Sequence, residues 1–111
     1  MSEDRALRHN EGKLRMDLID PSTVKALAEI LTIGAEKYDE HNWKKGDNWS
    51  VPYASLMRHL MAFWGGENLD PESSKNHLKH ALANISFLLY YYENYPELDN
   101  RYKVNIEKTD G

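Results

Sequence analysis

Three segments of this chain carry apolar residues at every third or fourth position, which is the spacing of one face of an α-helix. They cover about residues 21–38, 50–64 and 71–94. Asp20 or Ser22 can cap the first of them. The pattern therefore predicts an all-α fold with three main helices.

Proline, glycine and short polar residues stand where these helices are expected to begin and end. Ser50 is the expected cap of the second helix, and the glycine pair at residues 65–66 is expected to stop it. Asp70 followed by Pro71 is a typical start signal, so the third helix is predicted to begin at Pro71 with Asp70 as its cap. Pro96 is expected to end it.

A chain of 111 residues fits one helical domain, residues 1–111, with an N-terminal arm at 1–20 and a polar tail at 97–111. Four apolar residues of the arm are expected to pack on the core: Leu14, Met16, Leu18 and Ile19. Three helices of this length do not hide all of their apolar faces within one chain. We therefore expect a helical homo-oligomer.

Composition excludes several classes of protein. The chain has no cysteine, which excludes a disulfide scaffold and a thiolate metal site. Its net charge of −4 argues against a nucleic-acid partner. It has no apolar run of membrane-spanning length and no secretory signal, so we expect a cytoplasmic protein without a membrane partner.

The third helix places polar side chains at steps of three and four beside its apolar stripe. They are His77, His80 and Asn84, followed by Phe87 and Tyr91. Two histidines one turn apart can share a metal ion or a phosphate. The same spacing is also typical of a polar seam between helices, and the sequence leaves both interpretations open.

Two further pairs are candidates for binding. Arg58 can form a forked contact with a phosphate or a structural salt bridge, and His59 follows it on the second helix. Glu67 and Asp70 flank the turn into the third helix, where carboxylates suit Mg²⁺ or Mn²⁺.

The end of the first helix offers a third carboxylate group. Glu36, Asp39 and Glu40 stand at i, i+3 and i+4, a spacing that can bind the ions of a phosphohydrolase or can simply form a solvated face.

Several short motifs occur together in order along the chain. They are Asn10-x-Gly12-Lys13, Gly34-Ala35-x-Lys37-Tyr38-x-x-x-Asn42-Trp43, Arg58-His59-Leu60, Gly66-Glu67-x-x-Asp70-x-Glu72-Ser73 and His77-Leu78-x-His80-Ala81. Over about residues 8–92 the chain resembles a largely phage-encoded family, named for the N-terminal domain of dATP/dGTP diphosphohydrolase. That family is similar to the MazG-like all-α nucleoside triphosphate pyrophosphohydrolases.

The resemblance implies a helical oligomer that binds a small-molecule nucleotide, with Mg²⁺ or Mn²⁺ as cofactor if it is catalytic and none otherwise. It implies Glu67 and Asp70 as catalytic residues, and these two with His80 as metal ligands. The implied ligand-binding residues are Lys13, Lys37, Tyr38, Asn42, Trp43, Arg58, His59, His77, His80 and Asn84. If the chain is phage-encoded, its location is the host cytoplasm.

Three functions follow from these observations. The first is binding and hydrolysis of a deoxynucleoside triphosphate to the monophosphate and pyrophosphate. The second is a non-catalytic phage protein that sequesters a nucleotide-derived immune signal, because His77, His80 and Asn84 stand where MazG-like enzymes have acidic ligands. The third is a structural helical oligomer.

Overall fold

A computed structural model describes residues 5–104 and has three helices: α1 (Pro21–Lys37), α2 (Ser50–Trp64) and α3 (His77–Asn94). Three short 3₁₀ turns accompany them, at Met16–Leu18, Asn42–Lys45 and Pro96–Leu98. The described residues contain no strand beyond one isolated bridge, between Leu69 and Asn76. The predicted all-α class with three main helices is confirmed.

The first helix begins and ends as its sequence predicts. The Asp20 carboxylate accepts a hydrogen bond from the backbone N–H of Ser22 at 2.9 Å, and Pro21 occupies the first turn. At the other end, the Tyr38 N–H donates to the carbonyl of Gly34 at 2.9 Å, which closes the last turn.

The second helix differs from prediction at its start. Ser50 is its first helical residue and Trp49 stands at the cap position, while the Ser50 hydroxyl accepts a hydrogen bond from the Asn100 amide at 2.8 Å. The stop at the glycine pair is confirmed. Gly65 closes the helix through the Met61 carbonyl, and Gly66 turns the chain at a φ of +106°.

The predicted start of the third helix at Pro71 is wrong. The helix begins six residues later, at His77, and its cap is Asn76, whose side chain accepts from the Leu78 N–H at 2.7 Å. Ser74 has a φ of +61°, in the left-handed region, which a continuous helix cannot contain. Asp70 accordingly does not cap α3.

Helix α3 lies between the other two, packing against α2 and α1, while α1 and α2 scarcely touch within residues 5–104. The buried apolar side chains of this region are few: Trp49, Pro52, Ala81, Ala83 and Tyr91. No large side chain there is fully buried. The helices are thus held in one layer rather than around a closed core.

The two ends of the described chain behave differently. Residues 5–20 are exposed throughout, and no helix of this chain covers them. We expected four apolar residues of this arm to pack on the core, and that expectation is wrong within this chain: Leu14, Met16, Leu18 and Ile19. Near the other end, the Leu98 carbonyl accepts from the Trp49 N–H at 3.2 Å and ties the start of the tail to α2. Residues 105–111 of the predicted tail lie outside the described residues.

Among the helices of residues 5–104, none has the length and the hydropathy needed to cross a bilayer.

Candidate functional site

A groove of about 1310 Å³ runs between α1 and α2, with α3 as its floor. It is large enough for a nucleoside triphosphate. Eleven of the twelve site residues that the family resemblance implies line it: Lys37, Tyr38, Asn42, Trp43, Arg58, His59, Glu67, Asp70, His77, His80 and Asn84. The twelfth, Lys13, belongs to the exposed arm and does not line the groove.

The floor of the groove is the polar side of α3, from His77 to Tyr91. Part of it is a hydrogen-bonded seam between helices. Asn84 is buried, and its amide donates to the hydroxyl of Ser55 on α2 at 3.1 Å and to the backbone carbonyl of His80 at 2.9 Å. Asn84 therefore links α2 to α3 under the groove.

Three histidines from the two helices meet at one end of the groove. The Nδ1 atoms of His59 on α2 and His77 on α3 lie 2.8 Å apart, which is hydrogen-bond distance. The rings of His59 and His80 are stacked, with centroids 4.5 Å apart and planes within 4° of parallel. His77 is almost completely buried, at 3% exposure.

Glu67 fixes the protonation pattern of this pair. Its carboxylate accepts a hydrogen bond from His77 Nε2 at 2.7 Å. Because Nε2 donates its hydrogen to this bond, Nδ1 is left as the acceptor nitrogen of the His77 ring, and it faces His59.

The loop between α2 and α3 brings a second carboxylate to the histidines. Backbone hydrogen bonds fold it back on itself, from the Asp70 N–H to the Lys75 carbonyl at 2.8 Å and from the Ser74 N–H to the Asp70 carbonyl at 2.7 Å. The Asp70 carboxylate accepts from the Ser73 N–H at 2.9 Å and lies 3.9 Å from His80 Nε2.

Burial sets the charge of these groups. It lowers the pKa of His59, and the nearby His80 lowers it further. It also lowers the pKa of His80, although the negative charge of Asp70 acts in the opposite direction. For Asp70, burial acts to raise the pKa, but hydrogen bonds from Ser73 and the nearby histidines outweigh it, so the pKa lies below its ordinary value. At neutral pH the site thus holds an ionised Asp70 beside neutral His59 and His80.

His59, Asp70 and His77 form a possible metal site. One potential ligand atom from each lies within 4.8 Å of the others. The metal ligands expected from the sequence were Glu67, Asp70 and His80, so this set keeps Asp70 and adds His59 and His77, which were expected among the ligand-binding residues. In the structure Glu67 contacts His77, and His80 Nε2 is 2.7 Å from the Ser73 hydroxyl.

Cationic and aromatic groups line the rest of the groove. Arg58 is exposed and makes no ion pair with any residue between 5 and 104. Lys37 lies 3.7 Å from Glu72, and both side chains are exposed. Tyr38 is 64% exposed, whereas the Trp43 ring is half-buried.

Trp43 and Asn42 belong to the 3₁₀ turn that follows α1. The Trp43 ring packs against Phe87 and Tyr90 of α3, with centroids 4.9 and 5.0 Å away. Its carbonyl accepts from the Tyr91 hydroxyl at 2.6 Å. Trp43 is therefore anchored to the floor, and only part of its ring is available for stacking.

The carboxylates Glu36, Asp39 and Glu40, which the sequence left open as ion ligands or a solvated face, do not stand on one helix. The helix ends at Lys37, so Asp39 and Glu40 lie in the following turn and not one helical step from Glu36. Ser73, by contrast, was missed as a site residue although it lies within a quoted motif. It contacts both Asp70 and His80.

Comparison with known proteins gives two matches. The family model described as dATP/dGTP diphosphohydrolase, N-terminal, matches residues 3–101. A Salmonella phage PMBT28 protein named dATP/dGTP diphosphohydrolase is 28% identical over 95 residues, which is 86% of this chain and 32% of the relative. The chain thus spans about a third of that relative's length. No solved structure matches.

Since the family model matches residues 3–101, which is most of the chain, the chain belongs to the dATP/dGTP diphosphohydrolase N-terminal family.

Proposed function

We propose that this protein binds a purine deoxynucleoside triphosphate in the groove and hydrolyses it to the monophosphate and pyrophosphate. The observation that carries the proposal is the meeting of His59, Asp70 and His77 at one end of a groove that also exposes Arg58. The substrate class is supported by the name of the phage relative, dATP/dGTP diphosphohydrolase.

The donor set fits a divalent metal ion. Two imidazoles and one carboxylate suit Mn²⁺ or another first-row transition ion better than Mg²⁺, which prefers oxygen ligands alone. His59, Asp70 and His77 would hold the ion. When bound, such an ion polarises phosphoryl oxygens and lowers the pKa of water.

Glu67 acts in this proposal as a positioning residue and not as a ligand. Its hydrogen bond to His77 Nε2 keeps the Nδ1 lone pair of that ring available. The carboxylate is half-exposed at the groove, so it can keep this bond without closing the site.

The phosphates would lie along the cations of the groove. Arg58 is next to His59 in sequence and has no carboxylate partner within the described residues, so its guanidinium can form paired hydrogen bonds with phosphate oxygens. Lys37 would add charge once it leaves its exposed partner Glu72. Tyr38 offers the more exposed ring for the base.

The reaction breaks the bond between the α-phosphorus and the oxygen that bridges to the β-phosphorus. Water supplies the new oxygen, and the products are the deoxynucleoside monophosphate and pyrophosphate. Burial lowers the pKa of His59, which favours the neutral imidazole that can coordinate a metal ion.

The proposal is tested by measuring pyrophosphate release from dATP and dGTP with Mn²⁺. Asp70→Asn removes the ionised ligand and keeps an oxygen that can accept from Ser73, so it should abolish release while the protein stays folded. Asp17→Asn, on the exposed arm, is the matched control and should release pyrophosphate like the wild type. Release by the Asp70 variant at the wild-type rate would contradict the proposed metal site.

A further inference from the structure

Two rows of large apolar side chains are exposed on the back of the α2/α3 pair. The row on α2 consists of Tyr53, Met57, Leu60, Met61 and Trp64. The row on α3 consists of Leu78, Ile85, Leu89 and Tyr92. We call these nine residues the back face.

The back face lies on the opposite side of the helices from the groove. On α3, Leu78, Ile85 and Leu89 are spaced seven and four residues apart and share one stripe, which lies more than a quarter-turn away from the groove residues His80 and Asn84 at 100° per residue. On α2, every residue of the row likewise lies more than a quarter-turn around the helix axis from the groove residue Ser55. Because the two helices pack side by side, the rows form one continuous surface.

The exposed area is far larger than a chain of this size leaves open when it folds alone. The accessible surface is 9366 Å² for 12.9 kDa. A compact monomer of that mass exposes about 6,300 Å². The back face is part of this exposed area, since Trp64 is 88% and Met61 68% exposed.

The back face has the size and character of a protein interface. Its nine side chains, between 37% and 88% exposed, offer on the order of 1,000 Å² if each spans about 200 Å² when fully open. A stable complex buries about 800 Å² on each partner. None of the nine is charged, in a chain with 29% charged residues, so two copies of this surface can meet without like-charge repulsion.

We propose that a second copy of this chain packs on the back face, so that α2 and α3 of two protomers form a four-helix layer with the grooves outward. A twofold axis brings the same surface of both protomers together, and the nine side chains of the back face can be buried in this way because none of them is charged. This inference is independent of the proposed activity, since no groove residue takes part.

The test uses single cysteines, because the chain has none of its own. Leu89 on the back face and Val24 on α1 are both 58% exposed in the single chain, so Leu89→Cys and Val24→Cys form a matched pair. We expect a sedimentation mass of at least two chains for both variants. We also expect maleimide to modify Leu89→Cys at least about tenfold more slowly than Val24→Cys, because only the former is covered.

A second matched pair guards against a local packing defect at Leu89. Ile85 on the back face is 52% exposed and Val51 in the groove is 50% exposed. Ile85→Cys should again be the slower of the two. A mass of one chain, or equal labelling within both pairs, overturns the proposal. Equal labelling in an assembly of two chains would mean that another surface, such as the arm, forms the contact.

Discussion

Replacing Arg58 by alanine separates a phosphate-binding role from a structural one. The side chain is exposed and makes no ion pair within residues 5–104, so its loss should change the free energy of unfolding by less than about 0.5 kcal/mol. For a domain of this size that is a shift in Tm of about 2–4 °C at most. A charge-assisted, forked contact with phosphate is worth about 1.5–3 kcal/mol, so the Kd for dGTP should rise about 10- to 150-fold.

The assay is calorimetric titration in the presence of Mn²⁺ with a dGTP analogue that has a methylene group in place of the α–β bridging oxygen, which stands in for dGTP because the proposed reaction cannot cleave it, with thermal melting of the same samples. Arg58→Lys should recover part of the affinity, because it restores the charge without the fork. Lys25→Ala, on the exposed start of α1 outside the groove, is the control and should bind like the wild type. If Arg58→Ala lowers Tm by several degrees and leaves Kd unchanged, the residue has a structural role and the phosphate assignment is wrong.

Three further predictions test the site and its loop. Glu67→Gln should weaken Mn²⁺ binding by about 10- to 100-fold in a metal titration, because an uncharged amide orients the buried histidine less well; an unchanged affinity would refute the positioning role. Burial lowers the pKa values of His59 and His80 below the ordinary 6.5, so in acid the unfolded chain binds more protons than the folded one. The free energy of unfolding by urea should therefore be constant above about pH 7 and fall as the pH drops towards 5. A rise on acidification would contradict the assigned neutral state of these two rings. Gly66→Ala should destabilise the protein by about 1 kcal/mol or more, because the φ of Gly66 is +106°. Gly34→Ala should stabilise the protein by about 0.4–1 kcal/mol, because Gly34 lies in a helix with open space for the new methyl group. The same urea experiment measures both changes in the free energy of unfolding.

Local signals determined most of the helical fold. Asp20, Pro21 and the glycine pair at 65–66 mark ends that the structure confirms, because capping and positive φ are properties of a few adjacent residues. The start of α3 was missed since Asp70-Pro71 is an equally good local start signal. What decides against it is the folded loop, in which Ser74 adopts a left-handed conformation and Asn76 takes over the cap.

The site was predictable only in part. The spacing of His77, His80 and Asn84 correctly placed them on one side of α3. Asn84 is part of a polar seam between helices, which was one interpretation of this side, whereas His77 belongs to the histidine cluster that could bind a ligand, which was the other. That His59 joins them depends on how α2 packs against α3. The positions of Glu67 and Asp70 depend on a loop held by backbone hydrogen bonds between residues four to nine positions apart, and the spacing of the site residues does not encode that loop.

Mass spectrometry of dGTP recovered after incubation with the wild-type protein, with Mn²⁺ or with EDTA, tests the central proposal most directly. We expect conversion to dGMP and pyrophosphate with Mn²⁺ and intact dGTP with EDTA. Recovery of bound but unaltered dGTP under both conditions would contradict hydrolysis and indicate a protein that sequesters its nucleotide. Deoxyguanosine with triphosphate as products would show that a different bond is broken.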